Sequence, residues 1–122
     1  MTAVRGAAGR GGDPRAGILA LFDLVRTWAE EPGYRGCAFL NALGELGADA
    51  EVAGAVRAHK ADWSATLDDL VAAGPWPPAV AGQLAVLLNG AMATTAVVGS
   101  SAPAVAARAA AETLLDAAAV AR

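Results

Sequence analysis

From Ala79 to Val98 the chain runs twenty residues without a charged side chain. A stretch of that length can either cross a bilayer or form a helix covered by protein on most of its surface. Gln83, Asn89, Thr94 and Thr95 interrupt it, and many of its other positions are Ala or Gly. Its hydrophobicity per residue is therefore low for a lone span. It reads as a helix held between protein surfaces, with no membrane expected.

The rest of the composition points the same way. Apolar residues make up 56% of the 122, yet aromatics only 5%, so the excess is mostly Ala, Leu and Val. Ala and Leu are the strongest helix formers. No segment alternates apolar and polar residues as a half-buried strand would. The expected class is all-α. The formal charge is −3, and the nine basic residues never cluster. A nucleic-acid binder normally carries a basic patch, because phosphate contacts supply much of its affinity. An acidic helical chain better suits a protein partner or an apolar or cationic small molecule. One cysteine excludes an internal disulfide, and no apolar run follows Arg5 and Arg10 to suggest a signal peptide. A cytoplasmic location is expected.

Punctuation divides the chain into five expected helices. Residues 1–12, rich in Gly, Ala and Arg, read as a flexible leader, and 13–122 as one domain. Asp13 and Pro14 suit the N-cap and first helical positions, and Ile18, Leu21, Phe22, Val25 and Trp28 form one face down to about Glu30. A second helix fits 36–46. A third, capped by Asp49 and running to Ala73, carries Val52, Val56, His59, Trp63, Leu67 and Leu70 as its stripe. Gly74, Pro75, Pro77 and Pro78 make a stiff connector. The fourth helix spans about 78–98. Ser101 is a plausible cap for a fifth, which has Pro103 in its first turn and runs to about Val120. The last two helices are faced with small residues, which lets helix axes approach closely. A four-helix interface in a two-fold dimer would cover both.

The segment Tyr34-Arg35-Gly36-Cys37-Ala38-Phe39-Leu40-Asn41, with Glu45 after it, resembles a signature in the C-terminal domain of TetR/AcrR-type transcriptional regulators. Ala58-His59-Lys60, the run from Leu84 through Leu88-Asn89-Gly90-Ala91, and Ala109 to Leu115 are similar to further pieces of that domain, in the same order. The resemblance covers roughly Asp13 to Ala119. It implies a homodimer built on the last two helices and a ligand pocket among the earlier ones. Such regulators begin with a helix-turn-helix domain, which residues 1–12 do not resemble. DNA contact is therefore expected only through a domain this chain lacks.

The pocket candidates are Phe22, Trp28, Cys37, Phe39, Leu40, Asn41, His59, Trp63, Leu88 and Met92. Apolar walls would supply affinity, and His59, Asn41 and the Trp63 indole would fix orientation. The dimer-interface candidates are Leu87, Gly90, Ala91, Thr94, Thr95, Val98, Val105, Ala109 and Thr113. Each of the chemically distinctive residues has a plainer reading. His59 serves equally as a core histidine bonded to a carbonyl. Cys37 is more simply a small buried apolar residue than a reactive thiol. Asn41 and Asn89 could pin helices to neighbouring backbone. One His and one Cys give no paired metal-ligand spacing, so no metal or other cofactor is expected. Cys37 with His59 lacks a third member and an oxyanion hole, so no enzyme is expected. The functional expectation is a small-molecule-sensing and dimerisation domain of a TetR-type regulator. The alternative is a ligand-free helical dimerisation module that pairs with or titrates an intact regulator.

Overall fold

The structure is a computed structural model that describes residues 12–33 and 50–120, with only the backbone described at several positions in the 50–60 segment. The described residues form four helices and no strand: α1 Pro14–Ala29, α2 Ala50–Ala73, α3 Ala79–Val98 and α4 Ala102–Ala118. The helix expected over 36–46, and with it the Arg35–Asn41 segment, lies outside the described residues.

α1 begins where its sequence says it should. The Asp13 carboxylate accepts the Arg15 backbone N–H at 3.2 Å, and Pro14 occupies the first turn, where its missing N–H costs nothing. The helix closes at Glu30, whose N–H donates to the Arg26 carbonyl. Ile18, Leu21, Phe22 and Val25 are completely buried, one stripe at helical spacing. α1 and α3 are the central pair. α1 packs against all three other helices, as does α3, while α2 and α4 flank them and barely touch each other.

α3 buries Val80, Ala81, Leu84, Leu88, Ala91, Met92 and Thr95, again one face at spacings of three and four. It stops at Gly99, whose φ of +74° places it in the left-handed region and whose N–H returns to the Thr95 carbonyl. Among the described residues α3 is the helix long and apolar enough to cross a membrane by length and composition, but about 39% of that window is buried inside the chain.

The α3–α4 turn departs from the expected cap. Ser101 sits at the N-cap position with helical dihedrals and makes no side-chain cap bond. Ser100 supplies it instead, its Oγ accepting the Ala102 N–H at 3.0 Å. α4 ends at Ala118 rather than Val120, because Ala119 turns to an extended conformation. Val120 N–H then donates to the Pro75 carbonyl at 2.7 Å. The stripe of α2 also shifts: Trp63, Leu67 and Val71 are buried, while Leu70 is only partly so.

The α2–α3 connector is a structural pillar. Trp76 is buried against the core, and its indole Nε1 donates to the Leu115 carbonyl at 2.9 Å. Its six-membered ring lies directly over Gly74, where a Cβ would stand 2.1 Å from Cζ3. Only glycine leaves room for that ring.

Candidate functional site

Three features have the geometry of a site, and the sequence candidates divide among them. The first is the aromatic corner between α1, α2 and α3. Trp28 and Trp63 meet edge to face, with centroids 6.2 Å apart and planes inclined by 70°, a favoured aromatic geometry. Beside them a small cavity of about 130 Å³ is lined by Trp63, Ser64, Leu67, Ala85, Leu88 and Asn89. The structure therefore brings Trp28, Trp63 and Leu88 together. Asn89 stands at the edge, but its Nδ2 donates to the Ala85 carbonyl of its own helix at 2.9 Å. Phe22, Leu88 and Met92 are almost wholly buried and behave as core. The cavity is well below the roughly 300 Å³ at which small-molecule sites begin. Cys37, Phe39, Leu40 and Asn41, and the side chain of His59, lie outside the described residues.

The second feature is the outer face of α3 and α4. On α3 the exposed positions are Ala79, Gly82, Gln83, Val86, Gly90, Ala93, Thr94, Val97 and Val98. None is charged, and Val86 and Val97 are 72% and 87% exposed. On α4 the exposed face holds Ala102, Val105, Ala106, Ala109, Ala110, Thr113 and Ala117, with a charge only at Asp116 near the end. The two helices pack against each other, and each presents these positions to solvent. Of the interface candidates, Gly90, Thr94, Val98, Val105, Ala109 and Thr113 are among these exposed positions, and Leu87 is half-buried. Ala91 and Thr95 do not: they share the inward register of Leu84 and Leu88 and are 3% and 1% exposed. The Thr95 hydroxyl donates to the Met92 carbonyl, which lets a polar side chain sit in an apolar core.

Two charges of α4 gather at the edge of its exposed face, where Val105 and Ala109 border Arg108 and Glu112. Arg108 turns toward α1, its Nε 3.0 Å from Asp23 and its Nη1 2.7 Å from Glu112. These residues, with Phe22, Arg26 and Val105, line a groove of about 390 Å³ between α1 and α4. Arg108–Glu112 is an i,i+4 pair within α4, but the link from Arg108 to Asp23 leaves no trace in a single helix's pattern.

The third feature is a cavity of about 480 Å³ at the end of the bundle where α1 starts and α2 and α4 finish. It is lined by Asp13, Pro14, Arg15, Ala73, Gly74, Pro75, Trp76, Leu115, Asp116 and Ala119. Arg15 Nη1 and Asp116 Oδ1 pair at 2.6 Å on its wall. Trp76 has two places at this end of the bundle. It covers the end of α4 and also borders this cavity.

Among the described residues no group of three or more His, Cys, Asp or Glu side chains is placed to hold a metal ion. No family model matches the chain, and neither a curated protein nor a solved structure is similar to it at a significant level.

Proposed function

We propose that the chain is a dimerisation and small-molecule-sensing domain of the TetR type, without DNA-binding activity of its own. The observation that supports this most directly is that the exposed positions of α3 and α4 carry a single charge, Asp116 near the end of α4. Isolated exposed apolar residues are ordinary, but two packed helices with so few exposed charges suit an interaction surface. In a homodimer each copy offers the same two helices, and a two-fold axis turns them into a four-helix interface. In this reading the helix expected over 36–46 makes each copy a five-helix bundle, and the ligand pocket lies beside Trp28 and Trp63. Ligand binding there would favour one helix arrangement over another, the shift that a sensor transmits.

A second reading rests on a specific observation. Phe22, Leu88 and Met92 are almost wholly buried, and the cavity beside Trp63 is small. A ligand-free dimerisation module that pairs with an intact regulator has the same outer face and needs no larger pocket.

Sedimentation velocity tests the shared part. The expected result is a species of twice 12.1 kDa, converted to monomer by Val97→Glu. A monomeric wild-type chain would defeat both readings. Partitioning of the chain into vesicles would assign the α3 face to lipid instead. Thermal unfolding with a small-molecule library then separates sensor from module. A native-state ligand at a hundred times its Kd adds about 2.7 kcal/mol, and that gain should be lost in Trp63→Ala.

A further inference from the structure

We propose that the cavity of about 480 Å³ at the end of the bundle is a binding site for an amphipathic organic cation, a compact aromatic body carrying one positive charge. The proposal is independent of the dimer and of any pocket beside Trp63. The cavity lies in the size range of small-molecule sites, and its walls suit the aromatic body: Trp76, Leu115, Pro14, Pro75 and the methyls of Ala73 and Ala119.

The sign of the charge follows from what converges there. α2 ends at Ala73 and α4 at Ala118, so two helix C-termini meet at the cavity, and neither has a basic residue in its last turn. A helix C-terminus carries a partial negative charge from carbonyls with no intrahelical donor. One N-terminus, that of α1, opposes them, and the Asp13 carboxylate already caps it. The side chains leave the same imbalance. Among the described residues, Asp13 and Asp116 are the acidic groups on the wall, and Arg15 is the basic one, committed to Asp116 at 2.6 Å. Helix ends and side chains therefore both favour a cation, while apolar walls disfavour a bare metal ion. An inorganic anion would meet the Asp13 carboxylate and an arginine already paired with Asp116.

The test uses three probes with one aromatic body: (1-naphthylmethyl)trimethylammonium, its uncharged isostere 1-neopentylnaphthalene, and 1-naphthaleneacetate. Each is titrated into the full chain while its amide and indole NMR signals are followed. The expected result is that the ammonium probe binds tightest and shifts Gly74, Ala119 and the Trp76 indole. Asp13→Asn with Asp116→Asn should weaken the ammonium probe about tenfold, equivalent to about 1.4 kcal/mol, and leave the neutral isostere unchanged. Asn at position 13 keeps the cap, so the fold survives the change. Ala119→Trp, at an exposed position, should abolish binding by filling the cavity. Equal affinity for the neutral and cationic probes, a preference for the anion, shifts centred on Trp63 and Asn89, or no binding at millimolar probe would each overturn the assignment.

Discussion

The Trp76 indole N–H donates to the Leu115 carbonyl across 2.9 Å, bridging the α2–α3 connector to the last turn of α4. Both partners are buried, and that carbonyl is among the last four of its helix, which lack an intrahelical donor. Trp76→Phe keeps most of the ring and removes the donor. The expected loss is about 1–3 kcal/mol, the cost of leaving a buried carbonyl unsatisfied, read as a lower urea midpoint at unchanged slope.

Gly74 and Trp76 form a matched pair. Gly74→Ala would place a methyl 2.1 Å from Trp76 Cζ3, closer than real contacts allow. Overpacking of this kind costs about 1–3 kcal/mol. In a Trp76→Ala background the same substitution should be nearly neutral, and a double-mutant cycle measures the difference. Additive costs would mean that the ring does not rest on Gly74.

Gly99 is held to glycine by its backbone. With φ at +74°, Gly99→Ala puts a side chain in the left-handed region without meeting any neighbour. A penalty of about 1–2 kcal/mol is expected from conformation alone. Gly90→Ala is the control, since it sits mid-helix with open space at its Cβ. It should stabilise the monomer by about 0.4–1 kcal/mol and weaken any dimer that needs close approach there.

Arg108 joins α4 to α1 through Asp23 and pairs with Glu112 on its own helix, but its side chain is 38% exposed. Solvent screens such pairs, so Arg108→Met should cost no more than about 1 kcal/mol. The cost should shrink as salt is raised from low to molar concentrations. A loss that salt does not touch would show that the arginine's packing matters and its charge does not.

Leu88 belongs to the core and to the small cavity beside Trp63. Leu88→Ala should destabilise by about 2–5 kcal/mol, a large share of a domain's total stability. A mild effect would mean that the site is already hollow enough to accept a ligand.

The boundaries at Asp13, Gly74 and Gly99 were legible because they are written in chemistry local to the chain. Asp13 with Pro14, Gly74 with Pro75, and Gly99 each act within a few residues of themselves. The inward face of α1 was legible because its outward face is polar. α3 was different. It is apolar or small all round, so its sequence shows that it is covered but not which side faces which partner. That is why Ala91 and Thr95 look interchangeable with Gly90 and Thr94, and only packing separates them. The cavity at the end of the bundle was invisible for a related reason. Asp13, Trp76 and Asp116 are far apart in sequence, and no period links a helix start to two helix ends.

The Arg15–Asp116 pair spans 101 positions, and its consequence concerns synthesis. α1 is made before α4, yet part of the surface that covers Ile18, Leu21 and Phe22 belongs to α4. The described bundle closes only after α4 has been made. Until then a sticky stripe is left bare, and a nascent chain of this kind is a natural client for a holdase.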